Sequence, residues 1–155
     1  MKIKDFCSIN PPSNNFFDYI NYIDTSSVID GRLLNLQHLS QRFPSRARRE
    51  IHNGDLLISS VRPNLKHNYF VSKEINHGIA STGFIQIRLC NQNWMPRYIY
   101  YYLTTDQKVN LYANIASSQT AFPAFDKHVI EEIDVPNISL DEQRHIVDTR
   151  RERSL

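Results

Sequence analysis

At 155 residues, with 41% hydrophobic and 11% aromatic side chains, the chain is the size of one domain and has the apolar content for a sizeable core. A formal net charge of +2 does not by itself indicate nucleic acid, and two cysteines without C-x-x-C spacing argue against a disulfide framework or a zinc finger. With no N-terminal apolar segment and no apolar run long enough to span a bilayer, a reduced cytoplasmic protein without export or membrane span is expected.

Met1 to Asn10, carrying Ile3, Phe6 and Ile9, reads as a short element packed on the core. Pro11 to Asn15 reads as a loop, Phe16 to Asp24 as a strand and Asp30-Gly31 as a turn. Leu33 to Leu39 stays open between helix and strand. Arg42, Arg46, Arg48 and Arg49 follow, interrupted by Pro44, and are expected on a loop or a single turn because proline opposes a long helix. Asn53-Gly54-Asp55 then signals a tight turn, since glycine tolerates positive φ and Asn and Asp can bond their own backbone. Leu56 to Val61 runs extended, apolar first and hydroxylated last, as a strand buried on both faces. Arg62-Pro63 ends it, because proline removes a backbone donor.

Asn64 to Asn68 is a polar loop, Tyr69 to Val71 the second strand of a hairpin, and Gly78 to Ala80 a short apolar piece. Gly83 to Leu89 alternates as an amphipathic strand, with Ile85, Ile87 and Leu89 on one face and Phe84, Gln86 and Arg88 on the other. Pro96 opens a helix that continues through Thr104, and Asp106 to Ile115 is a second. Ser117 to Phe125 is a loop whose Phe122 and Phe125 anchor it in the core. Asp126 caps a short helix over Lys127 to Glu132, and Ile133 to Pro136 reads as a last strand. Ser139 with Glu142 forms a capping box at the start of a final helix, with Leu140, Gln143 and Val147 on one face.

Enzymatic chemistry finds little support. Asn10-Pro11-Pro12-Ser13 is near the NPP-aromatic motif of adenine amino-methyltransferases, but the aromatic is a serine and no glycine pair supplies a cofactor turn; a proline loop accounts for it better. Glu131, Glu132, Asp134, Asp141 and Glu142 cluster in sequence as a nuclease metal site would, yet their places at helix ends have a dipole and capping explanation. The six histidines show no ligand spacing. No catalytic and no metal-ligating residue is assigned.

Gly54-Asp55-Leu56-Leu57-Ile58-Ser59 with Arg62, then Ser81-Thr82-Gly83-Phe84, then Ile133-Asp134-Val135-Pro136, then Ser139-Leu140 leading into Glu142-Gln143 and Ile146-Val147, come in a definite order. In that order they resemble the target-recognition domain of type I restriction–modification specificity subunits, over about Tyr19 to Val147. The resemblance implies double-stranded DNA as ligand and no active site in this chain. It implies a methyltransferase subunit that supplies the S-adenosylmethionine chemistry and base flipping, and a restriction subunit in the full complex. ATP and S-adenosylmethionine would belong to those partners only. The final helix of that family is long and pairs with another; here it stops just after starting, which suggests a single-domain fragment or truncated product and at most a weak homodimer.

Two groups of residues are candidates for DNA contact. Arg42, Arg46, Arg48, Arg49, Lys66 and Lys73 can neutralise phosphates, although a solvated basic face explains them equally well without the resemblance. Arg62, Asn64, His67, Ser118, Gln119 and Thr120 sit in loops with side chains that can read base edges. The expected fold is mixed α/β: one domain with a curved mixed sheet and flanking helices over residues 1–138, and the start of a projecting spacer helix over residues 139–155. The competing readings are a DNA methyltransferase or nuclease fragment, and a protein-interaction module working through the last helix.

Overall fold

The turn at Asn53-Gly54 and the apolar run after it position the rest of the molecule. In the computed structural model, which describes residues 1–118 and 124–153, Gly54 has a φ of +93° and its N–H donates to the Val71 carbonyl at 2.7 Å. Around that turn the chain forms strands β1 (Cys7–Ile9), β2 (Ile20–Ile23), β3 (Val28–Ile29), β4 (Arg32–Leu33), β5 (Gln37–Leu39), β6 (Ala47–Glu50), β7 (Leu56–Ser59), β8 (Asn68–Phe70), β9 (Gly78–Ser81) and β10 (Phe84–Leu89). Helices α1 (Pro96–Leu103), α2 (Asp106–Ser117), α3 (Lys127–Glu131) and α4 (Leu140–Arg153) follow.

The mixed α/β class is as expected, but the described strands do not share a single sheet. An antiparallel four-stranded sheet has the order β1-β10-β7-β8. A second four-stranded sheet has the order β5-β2-β9-β6 and is mixed, with β2 parallel to β9. β3 and β4 form a separate ribbon. The division follows from β7 and β10, whose alternate side chains enter different cores. Leu56, Ile58, Ile85 and Ile87 pack with Ile99, Leu103, Tyr112 and Ile130 on the helical side. Leu57 and Phe84 pack with Ile23, Ile51 and Ala80 toward the second sheet. The first sheet is therefore a middle layer between helices and the second sheet. At about 1.5–3 kcal/mol per fully buried Leu or Ile, β7 is among the most costly strands to disturb.

β10 corrects the amphipathic reading of its sequence. Gln86 is fully buried, and its Nε2 donates to Asp55 Oδ2 at 2.9 Å and to the Glu50 carbonyl of β6 at 2.8 Å. Arg88 donates to the Asp55 carboxylate through Nε at 2.9 Å and a terminal nitrogen at 2.8 Å. The polar face thus meets a buried partner rather than solvent, and the bonds from Gln86 tie the two sheets together. The arginine-rich stretch also differs from expectation. Arg48 and Arg49 lie in β6, recruited by pairing with β9 and with a bulge between Ala47 and Arg49. Ile133 to Pro136 is not a strand; Asp134 makes one isolated bridge to Lys2.

Asp126 and Ser139 cap helices as the sequence leads one to expect, and Thr105 is a further cap. Thr105 Oγ1 accepts from Lys108 N, Asp126 accepts from His128 N, and Ser139 Oγ accepts from Glu142 N. Tyr112, buried on α2, donates to the Leu103 carbonyl at 2.8 Å and stacks on Phe125 at 4.7 Å, so Phe125 anchors its loop as expected. Gln143 fastens α4 to the start of α1: its Oε1 accepts from Met95 N at 2.7 Å and its Nε2 donates to the Asn93 carbonyl at 3.0 Å. Leu140, expected on the packed face, is exposed, while Gln143 and Val147 are buried.

Candidate nucleic-acid interface

The exit of β7 is built from main-chain bonds. Ser60 N and Ser60 Oγ both donate to the Gly83 carbonyl at 3.0 Å, and Ser59 Oγ donates to the Val61 carbonyl at 2.8 Å. The two hydroxyls therefore hold the turn and are not offered outward. Next to Gly83, Thr82 N donates to the Arg46 carbonyl at 2.9 Å. On the other side Phe125 N donates to the Ser60 carbonyl at 2.9 Å, and Val61 bridges Ala124. This series of bonds joins the Arg46 turn, the Thr82-Gly83 turn, the β7 exit and the end of the loop after α2 into one continuous edge.

Arg62 stands on that edge. It adopts the left-handed conformation with a φ of +45° and opens a 3-10 turn over Pro63–Leu65. The turn packs against the end of α2, so Arg62 and Asn64 share a shallow recess of about 390 Å³ with Asn114 and Ser117. Neither the Arg62 guanidinium nor the Asn64 amide has a hydrogen-bond or ion-pair partner among the described residues. Ser118 is exposed beside them, its hydroxyl donating to the Ile115 carbonyl at 2.6 Å and its oxygen left able to accept. Gln119 and Thr120, also expected to read bases, lie outside the described residues, as does Phe122. His67 does not belong to this edge: its Nδ1 donates to the Val28 carbonyl at 2.7 Å and ties the loop to the β3–β4 ribbon.

The phosphate candidates divide in the same way. Arg42 and Arg46 are exposed, Arg42 with a φ of +54°. Arg48 is exposed at the β6 bulge, where its Nε donates to the Ser45 carbonyl at 2.9 Å. Arg49 is partly buried, its Nε shielded from solvent without a partner, and that burial lowers its pKa. Lys66 pairs with Asp106 at 3.1 Å, at the end of α2 remote from Ser117. Lys73 lies at the opposite end of β7 from Arg62, beside Glu74, which accepts from Asn53 N at 2.9 Å. The structure therefore places Arg62, Asn64 and Ser118 together, links the Arg46 turn to them through main-chain bonds, sets Arg48 and Arg49 on a separate recess, ties Lys66 to Asp106 at the close of the Arg62 turn, and leaves His67 and Lys73 apart.

The other motifs are accounted for structurally. Asn10 has a φ of +50°, donates its N–H to the Gln86 carbonyl at 2.7 Å and accepts from Gln86 N at 2.9 Å, so Asn10-Pro11 clasps the edge of β10. Among the described residues no group of three or more His, Cys, Asp or Glu side chains is placed to hold a metal ion. Glu132 is spent on Lys2 and Lys4, both at 2.6 Å, and these ammonium groups pull its pKa down to about 2. No described helix is long and apolar enough to cross a membrane.

Comparison with known proteins decides the family. Residues 1–149 match the family described as type I restriction modification DNA specificity domain. The chain belongs to that family. It is 24% identical over 111 residues to the type I restriction enzyme HindI specificity subunit of Haemophilus influenzae, covering 70% of this chain and 24% of that protein. Its fold is similar to the HsdS subunit from Thermoanaerobacter tengcongensis, with a TM-score of 0.81 and 26% identity over 99% of this chain and 42% of that one. A chain from a structure of the assembly and conformational transition of the type I R-M system is similar at a TM-score of 0.75 and 26% identity, with the same coverage. This specificity domain thus spans about a quarter of the length of the curated relative and less than half of each solved chain. The family role is DNA specificity and not catalysis, in line with the sequence reading.

Proposed function

We propose that this chain reads one half of a bipartite duplex site and directs a separate methyltransferase subunit to it, with a restriction subunit in the full complex. The observation that carries the reading is Arg62: a guanidinium on a strand exit whose main chain is hydrogen-bonded in place, without a protein partner among the described residues, next to Asn64 and Ser118. An arginine pairs bidentately with guanine and an asparagine with adenine in the major groove, each good pair discriminating by about 1–3 kcal/mol. Arg46, whose turn is bonded to the same edge, and Arg48 next to it on β6 are exposed and serve as phosphate contacts that carry no sequence information.

On this reading residues 1–138 form the target-recognition domain and residues 139–155 start a spacer helix that supports a weak homodimer. The chain uses no cofactor of its own; S-adenosylmethionine and ATP act on the partner subunits. Both cysteines are free, and burial raises the Cys7 thiol to about 12, which suits a reduced cytoplasmic setting. Fluorescence anisotropy with random and selection-enriched duplexes tests the reading. The expected result is binding that falls with salt and favours an enriched sequence. Absence of salt-dependent duplex binding, with or without a methyltransferase subunit, overturns it.

A further inference from the structure

Phe16 projects fully into solvent from the loop between β1 and β2. A single exposed phenylalanine is ordinary on a protein surface. This one is not isolated: Phe16, Phe43, Pro12, Arg48 and Arg49 line a common recess of about 480 Å³. Phe43 is itself 39% exposed, so two aromatic rings and two guanidinium groups meet solvent or the recess together. Arg49 brings a shielded Nε that no described residue satisfies. The recess also adjoins the edge described above, because Arg48 follows the Arg46 turn through the β6 bulge.

We propose that this recess is a second DNA-contacting element, in which Phe16 wedges between two stacked base pairs beside the half-site and Arg48 and Arg49 hold the phosphate of the opened step. The proposal rests on the duplex-reading function and adds to it a local distortion of the duplex. The chemistry fits both parts. An apolar side chain entering a base step gains stacking contact in place of its exposure to water, and the unstacking it causes is offset by phosphate contacts that the opened backbone makes available. Arg49 is suited to an anion because no carboxylate lines its recess, and a guanidinium whose Nε is shielded still has its terminal N–H groups to donate to phosphate oxygens. Asn10 and Ser13 give the loop a fixed base: Asn10 is clasped to Gln86, and Ser13 Oγ accepts from Glu50 N at 2.8 Å.

The test uses the full chain alone, without a methyltransferase subunit, on enriched duplexes that carry 2-aminopurine at successive positions. The wild-type chain is expected to raise the fluorescence at one step outside the bases read by Arg62. Phe16→Ala is expected to abolish that rise and to weaken binding on the order of tenfold, as loss of an aromatic stack does. Phe16→Leu, which keeps an apolar wedge, is expected to restore part of the rise, and Arg49→Met to weaken binding to all sequences alike. Binding by the wild-type chain with no rise at any step, or an undiminished rise with Phe16→Ala, overturns the wedge and leaves the duplex reading intact. Absence of binding by the chain alone overturns the wedge, and absence of binding with a methyltransferase subunit as well overturns the duplex reading too.

Discussion

The two ends of β7 are made of similar residues and behave differently. At the Asp55 end, a carboxylate with no exposure is met by Arg88, Gln86 and the His52 N–H, at 2.8 to 2.9 Å. At the Arg62 end, an arginine and an asparagine stand in an open recess without a protein partner among the described residues. Charge that is fully paired inside the protein binds the two sheets to each other and has nothing left for a ligand. Charge that is held in place but unpaired can be spent on one. Polar character alone does not separate structure from recognition; the state of the partners does.

The largest expected effect attacks the closed end. Asp55→Ala removes the carboxylate that Arg88 and the buried Gln86 share, leaving them only the Glu50 carbonyl, and should destabilise the fold by about 3 kcal/mol, read by urea denaturation. Arg88 is partly exposed, and water reaching its guanidinium keeps the loss near the low end of the range for buried pairs. A smaller loss, near that of an exposed pair, would show that the two ends of β7 differ less than their geometry indicates.

Next comes the open end. Arg62→Ala should leave the unfolding midpoint nearly unchanged while it removes about 1–3 kcal/mol of discrimination at one base position, read by selection from a randomised duplex pool. Arg46→Ala should weaken all sequences alike and reduce the slope of log affinity against log salt by about 0.9, the share of one phosphate. Lys73→Ala serves as the contrast: from the closed end of β7 it should change neither specificity nor salt slope. A clear effect of Lys73→Ala would mean that the duplex covers both ends.

The smallest expected effect concerns the N-terminal clasp. Glu132 is held at about 2, below its ordinary 4.5, by Lys2 and Lys4. A depressed carboxylate stabilises the fold fully above the ordinary value, and that contribution fades as pH falls from about 4.5 through about 2. The pair is exposed, so the change should be slight. Carboxyl-resolved NMR titration checks the midpoint, and Glu132→Gln should remove this portion of the acid sensitivity of unfolding.

Much of this was legible in the residues. β7 showed itself as an apolar run between turn signals, and three helices through Pro96, Asp126 and Ser139 at their starts, while the Thr105 cap of α2 did not. The ordered pieces from Gly54 to Val147 pointed to the family that the comparison then established. What stayed hidden depended on distant partners. Period-two alternation in β10 cannot reveal that Gln86 and Arg88 face Asp55, which lies far away in sequence. Nothing local in Ala47–Glu50 favours a strand; β9 imposes it. Lys73 follows Arg62 closely along the chain, but the β7–β8 hairpin carries it to the other end of the sheet. Phe16 and Phe43 carry no local signal either, because only the fold places them beside Arg48 and Arg49.

The recognition edge is sewn together largely by amide groups: Thr82 to Arg46, Ser60 to Gly83, Phe125 to Ser60. Amides are common to every residue except proline as donor, so these stitches are indifferent to most side chains placed on or beside them. Positions 64, 117 and 118 can therefore vary while the loops keep their places, and position 62, in the left-handed conformation, admits a narrower set that excludes β-branched residues. On the proposed duplex reading, a collection of variants randomised at these positions, with β-branched residues left out at 62, should keep the fold yet differ in the sequence each prefers.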